Sequence, residues 1–249
     1  KAGIEKAAAD LKKNAGEALV VCGSNDTNTQ IIVNAINQAI GAYGKTIDWG
    51  KPVNYRAGVD AEFEQLVRDM EAGTVGTLLV YGANPAYTYH KAAAFTAALK
   101  KVKVSVSFSE RMDETTEHCQ FIAPSNHYLE SWGDAEPVTG HISFIQPTIA
   151  PLFKTRAFQD SLLKWSGNST EYINYVKNFW SAKLGGEAGW NKAIQDGVVN
   201  PATEVVAGAS LNGAAVANAI AAVSSKKAGT KTELVLYQKV GIASIFLRF

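Results

Sequence analysis

Apolar residues along the first two thirds of the chain recur alternately at helical and at strand spacing. In AGIEKAAADLKKN, Ile4, Ala8 and Leu11 share one helical face. EALVVCG follows as an unbroken apolar run between Gly16 and Gly23, which predicts a buried strand with Cys22 as a small buried hydrophobe. NDTNTQIIVNAINQAIGAYG carries Ile31, Ile32, Ala35, Ile36 and Ile40 at helical intervals, with Asp26 or Thr27 as its cap. Lys45 to Asp60 has no period and predicts a connecting loop. DAEFEQLVRDMEAG then sets Phe63, Leu66, Val67 and Met70 on one face, with Gly73 as a stop signal.

The same rhythm continues. VGTLLVYGANP predicts a strand running into a turn, HKAAAFTAALKK a helix, and KVKVSVSFS a second strand. ERMDETTEH predicts a short helix and CQFIAPS a short apolar strand. Short buried strands alternating with helices predict an α/β fold: a mainly parallel, doubly wound (Rossmann-like) sheet with helices on both faces. From Pro147 the texture becomes more helical, through FQDSLLKW, EYINYVKNFW, WNKAIQ and AAVANAIAAV, with TELVLYQKV as one late strand. The expected organisation is a Rossmann-like domain over residues 1–165 and a helical extension over 166–249, packed on the same domain.

A formal net charge of +1 gives no electrostatic reason to expect nucleic acid or an anionic membrane as a partner. Two cysteines, Cys22 and Cys119, make neither a CxxC pair nor a disulfide framework. No apolar run reaches the roughly 18 residues of a membrane span. The chain starts inside a helical pattern at Lys1 and stops after IFLRF, which reads as a fragment or a processed chain.

Three segments fall where strands end and ligands bind in doubly wound sheets. CGSNDTN could offer Gly23, Ser24 and Asn25 to a phosphate at a helix N-terminus, or Gly23 could make the turn while Asp26 caps the helix. No GxGxxG or GxxxxGK[ST] supports a nucleotide reading. In YGANPAY, Asn84 and Pro85 suit a helix entry, and the same geometry would turn Gly82 and Asn84 toward a ligand.

The third segment, EHCQFIAPSNHYLESWGD, holds two of the four histidines and one cysteine within Glu117 to Asp134. Sequence neighbours His118 and Cys119 do not readily face one point, and His127 lacks an HxxxH or HExxH partner, which argues against a metal site. No GxSxG elbow is present. Asp113 and Glu117 at i, i+4 predict a solvated helix face.

Taken in order, VYGANPAY, SERMDETTEHCQFIAPSNHYLESWGDAEP and HISFIQPTIAPLFKTR resemble the third domain of molybdopterin-dependent oxidoreductases. Asp113 to Thr116 match an acidic, threonine-rich helix, Phe121 to Pro124 a strand ending in proline, and Glu130 a family glutamate. Gln146 and Pro147 fall near a further Q and P, and WNKAIQDG resembles a later element. HYLESWGD and LYQKVGI are similar more narrowly to the molybdopterin-like portion of the large iron–sulfur subunit of alternative complex III.

That resemblance implies a non-catalytic structural domain in a quinol-oxidising respiratory complex, with no cofactor in this fragment and iron–sulfur clusters elsewhere in the full chain. It implies other subunits of a membrane complex as partners, a periplasmic placement and no membrane span of its own. The alternative it leaves is a fragment of a true molybdenum enzyme, in which Gly23, Ser24, Asn25, Gly82, Asn84 and Glu130 would contact molybdopterin guanine dinucleotide. An unrelated α/β ligand-binding domain is the third expectation. Gly133 to Gly140 stand where the catalytic family has Gt..N.eGr, of which N.eGr is not recognisable, and Asp134 and Glu136 there place negative charge against a pyrophosphate.

Overall fold

A computed structural model describes residues 2–54, 58–201, 204–208 and 210–225. In chain order the early elements are α1 (Ala2–Lys13), α2 (Thr27–Ala39), α3 (Asp60–Glu71), β1 (Thr77–Val80), α4 (Pro85–Thr88) and α5 (Ala92–Leu99). Next come β2 (Val104–Ser107), β3 (Phe121–Ile122), β4 (Gly133–Val138) and β5 (His141–Ile145). The later part is α6 (Phe158–Trp165), α7 (Tyr172–Lys183), α8 (Glu187–Asp196), β6 (Val198–Val199) and α9 (Gly213–Ser224).

The chain divides into two compact units, each assembled from separated segments. The first takes residues 2–54, 136–141 and the described part of 200–225; the second takes 58–135 and 142–199.

In the first unit α2 packs on α9, around buried Ile40, Ala42 and Ala219. Asp26 caps α2 as its position predicts, accepting from the Thr29 amide at 2.8 Å. The expected strand at EALVVCG does not form: residues 18–26 pair in no sheet, Leu19 and Val21 are exposed, and so is Cys22. The backbone of Val20 is held by a side chain instead. The buried Asn37 amide accepts from Val20 N and donates to Val20 O, both at 2.8 Å, reproducing the hydrogen bonds of a neighbouring strand at one residue only. An apolar run becomes a buried strand only where a ladder and a covering layer exist, and here the run has neither.

The second unit is the α/β body that the alternation predicts. Its parallel sheet has the order β1-β2-β3, with Thr77 to Val80 in register with Val104 to Ser107, and Val106 and Ser107 with Phe121 and Ile122. Helices α3 and α5 supply Val67, Met70, Phe95, Ala98 and Leu99 to the core, joined by Val102 and packed against Leu78. These are the helical-face residues of α3 and the alanine-rich α5, so pattern and packing agree.

In β2 the alternation is not a solvent face. Ser105 and Ser107 are as buried as Val106, and each has a partner. Ser105 Oγ accepts from Gln120 N at 3.0 Å, and Ser107 Oγ lies 2.7 Å from Thr116 Oγ1. Buried hydroxyls persist because they are paired.

The expected helix over ERMDETTEH shrinks to one 3₁₀ turn, Thr116–His118. Asp113 is buried rather than solvated, and caps that turn by accepting from Thr116 N at 2.8 Å. A side chain so engaged starts a turn, and Cys119 adopts extended backbone at once, ending it before β3.

Around the sheet the later part of the second unit is helical. Phe158 of α6 stacks on Tyr81 (centroids 4.1 Å apart) and meets Phe108 edge-on, while Phe144 of β5 meets Trp180 and the buried Trp190 edge-on. β5 pairs antiparallel with β6 in a second sheet ordered β4-β5-β6. The expected strand TELVLYQKV lies outside the described residues.

Candidate functional site

The parallel strands of the second unit end together, and the segments leaving them enclose a cavity of about 340 Å³. Val80, Tyr81 and Gly82 line it from the end of β1, Phe108 to Arg111 from the end of β2, and Ser125 and Asn126 from beyond β3. Trp132 to Ala135 and Ile145, with Gln159 of α6, complete the wall. Ligands in open α/β sheets bind at this carboxyl edge, and the volume is at the lower end of the range of small-molecule pockets.

Why the chain opens here is local. Gly82 has φ +64°, a left-handed turn that lets the strand stop and Pro85 begin α4 at its first position. Gly133 lies against Ile145, where a Cβ would sit 3.5 Å from the isoleucine Cδ1. The rim is braced by Asp134, whose two oxygens accept from Tyr172 OH at 2.9 Å and Trp180 Nε1 at 2.7 Å. Burial, with the hydrogen bond to Asp134 behind it, pushes the Tyr172 phenol well above its ordinary value.

The electrostatics are acidic. Among the described residues, Glu110, Asp113 and Asp134 line the cavity together with Arg111. Tyr81 is pushed up by burial and by the nearby charge of Glu110, with Ser125 acting against the shift through a hydrogen bond. A cavity whose carboxylates outnumber its cations opposes a diphosphate.

The residues singled out from sequence fall in both units. Gly23, Ser24 and Asn25 belong to the first unit, where Ser24 Oγ accepts from Asp26 N at 3.1 Å and Ser24 O accepts from the Gln30 amide. Gly23 is not among the glycines with positive φ, and a Cβ there would find open space. Gly82 does line the cavity.

Asn84 is buried and faces protein. Its Oδ1 accepts from Thr115 N at 3.2 Å and Thr115 Oγ1 at 2.7 Å, and its Nδ2 donates to Glu114 at 2.6 Å. Thr115 Oγ1 in turn accepts from Ala86 N at 3.0 Å. Asn84 thus ties the loop after β1 to the loop after β2, and makes no side-chain cap to its own helix.

Glu130 lines a neighbouring cavity of about 250 Å³ with Asp160, Glu171 and Tyr172. Its Oε2 accepts from His127 N at 3.0 Å and its Oε1 from Leu152 N at 3.1 Å. With His127 Nδ1 accepting from Leu129 N, the pair forms a capping box on the 3₁₀ turn Tyr128–Glu130. His127 and Glu130 are thereby engaged with backbone. Cys119 is held above its ordinary value by burial, with Asp113 adding to the shift and a hydrogen bond to Ser105 opposing it. Among the described residues no three His, Cys, Asp or Glu side chains converge to hold a metal.

Sequence reasoning passed over Tyr81, Glu110, Arg111 and the pair Tyr172–Trp180. Glu110 and Arg111 carry a detectable signal, since they directly follow an alternating strand. Tyr172 and Trp180 carry none, because they reach Asp134 from 38 and 46 positions away.

The second unit is thus an α/β body with a cavity at the carboxyl edge of its parallel sheet. No family model matches the chain. Over 94 residues, 36% of this chain, it is 35% identical to the menaquinone reductase, molybdopterin-binding-like subunit, of Nitratidesulfovibrio vulgaris (strain Hildenborough). The matched stretch spans 14% of that protein's length. The similarity supports a relationship to the molybdopterin-oxidoreductase group at that level. No helix among the described residues is long and apolar enough to cross a membrane.

Proposed function

We propose that the chain is a non-catalytic, molybdopterin-like structural domain of a respiratory oxidoreductase subunit, of the kind found in the large iron–sulfur subunit of alternative complex III. The observation that carries this reading is the cavity itself. It lies at the carboxyl edge of the parallel sheet, and among the described residues its charged lining is Glu110, Arg111, Asp113 and Asp134, three carboxylates to one guanidinium. Asn84, one of the residues expected from sequence to meet a pterin, is buried and engaged with Thr115 and Glu114. Glu130 is engaged with the backbone of His127 and Leu152. These residues do not fit a pterin–guanine dinucleotide, so no chemical step is assigned to one.

The relative's printed name supports the same direction, being a molybdopterin-binding-like subunit of a menaquinone reductase. The function is then scaffolding. The α/β body holds a cluster-bearing part and partner subunits in register, on the periplasmic side of a membrane complex. With two cysteines the chain does not supply four thiolates, so the iron–sulfur clusters belong to other parts of the assembly.

One observation favours the second reading, a cofactor-binding piece of a true molybdenum enzyme. Gly82 gives the left-handed turn that lets backbone approach a ligand at the cavity mouth. In that reading Gly82 meets the cofactor together with Gly23, Ser24 and Asn25, while Asn84 and Glu130 would have to give up their present partners to do so.

Metal and pterin analysis of the full natural chain, purified from its host, separates the two. Iron without molybdenum or pterin is expected. Near-stoichiometric molybdenum with pterin would refute the scaffold.

A further inference from the structure

Among the described residues of the second unit, the segment that follows β5 carries the two most exposed large apolar side chains. Leu152 is 72% exposed and Phe153 76%, with Ile149 also exposed beside them. A tip of this kind in a mobile loop would be ordinary surface variation, but this one is fastened at its root. Thr148 N and Ile149 N both donate to Leu129 O, at 2.7 and 3.1 Å. Leu152 N donates to Glu130 Oε1 at 3.1 Å, and the Thr155 hydroxyl donates to Asn126 Oδ1 at 2.6 Å. The capping box of His127 and Glu130 therefore does a second job, fixing the backbone directly beneath Leu152.

Exposed apolar groups held in one shape are pre-ordered for a contact, since little freedom remains to be lost on binding. Charge narrows the partner. Between Pro147 and Gln159 the chain has no carboxylate and two cations, Lys154 and Arg156, both exposed. We propose that this loop, from Ile149 to Arg156, is the docking tip for a partner protein whose surface offers an apolar pocket rimmed by carboxylates.

Two cations fall short of the clusters of about four to eight that mark anionic-lipid recognition, and a fluid bilayer asks for no fixed loop shape. Phe153 and Arg156 are of the residue types enriched at protein–protein interfaces, and Leu152 adds apolar area beside them. The inference rests on the subunit reading above, and supplies the contact by which such a subunit is held.

The test uses the assembly purified from its own host, with Phe153 replaced by the photo-crosslinker p-benzoylphenylalanine. Ultraviolet irradiation is expected to give one adduct, with one other subunit, mapped to a stretch containing Asp or Glu. Leu152→Ser with Phe153→Ser is expected to reduce recovery of that subunit at least tenfold without moving the chain's own unfolding midpoint, because both side chains are exposed. Lys154→Glu with Arg156→Glu is expected to weaken the association most at low salt.

Adducts with lipid, with a second copy or within the chain would overturn the proposal, as would full recovery of the subunit with the double serine variant. If subunits co-purify and Phe153 captures none of them, the docking tip alone is wrong. A wild-type chain that purifies with no other subunit would sink the subunit reading together with it.

Discussion

Replacing Asn84 by alanine separates a ligand-facing role from a structural one. Asn84 and Thr115 are both buried, at 2% and 0% exposure, so the two donors of Thr115 lose their acceptor with no water to replace it. An orphaned buried donor costs about 1–3 kcal/mol. Some of that is recovered as the Thr115 hydroxyl rotates, and Glu114 is exposed and can re-solvate, so nothing is added for its lost bond. The expected loss is about 2–4 kcal/mol. With a urea dependence near 2 kcal/mol per molar, the unfolding midpoint of the full chain falls by roughly 1–2 M. Tryptophan fluorescence in a urea titration reads it directly. A midpoint shift below about 0.3 M would refute the reasoning, and would return Asn84 to the list of ligand contacts.

The pair Ser107–Thr116, both 1% exposed and 2.7 Å apart, should show coupling of about 0.5–1.5 kcal/mol in a double-mutant cycle of Ser107→Ala and Thr116→Val, measured by urea unfolding; strict additivity would contradict the contact. Tyr172 is held protonated chiefly by burial and then by Asp134, so its folded pKa lies above its unfolded value near 10. Its contribution to stability is therefore complete below about pH 10 and lost as pH rises further toward the folded value. Absorbance at 295 nm should show Tyr172 missing from the ordinary tyrosine wave. Asp134→Asn should bring it part of the way back, and a normal titration of Tyr172 would refute the burial argument. Gly189→Ala would place a Cβ 1.8 Å from the Leu184 carbonyl oxygen, a backbone atom that cannot swing aside. It should cost about 3 kcal/mol or more by thermal unfolding, as an overpacked contact relieved only by opening the first turn of α8, and a neutral result would refute that geometry.

Much of the body was legible in the pattern of apolar positions. Phe63, Leu66, Val67 and Met70 recur at helical spacing and do pack on Phe95 and Leu99, because a period of 3.6 commits a helix to one face whatever lies opposite. Asp26 before α2 and Pro85 at the head of α4 were equally plain, since capping is decided by a few neighbouring residues. The alternation of strand and helix likewise implied a parallel sheet, and β1, β2 and β3 run parallel.

Caps, turns and helical faces rest on interactions within a few residues and were plain from the local pattern; the helix expected over ERMDETTEH was the exception, cut to one turn where Asp113 is engaged. Packing in space decided instead which extended segments find a ladder. EALVVCG and TLLV read alike, yet TLLV pairs with β2 while EALVVCG is held by side chains at separate points, Asn37 at Val20, Thr46 at Ala18 O and Gln30 at Cys22 O. It also decided the fate of the polar residues that looked like a site. Asn84, Asp113, His127 and Glu130 carry the same chemistry whether they meet a ligand or a backbone amide, and distance along the chain does not tell the two apart. Thr115, Thr116, Leu129 and Leu152 were the partners brought within hydrogen-bond reach, and burial removed the water that would otherwise have competed for these groups.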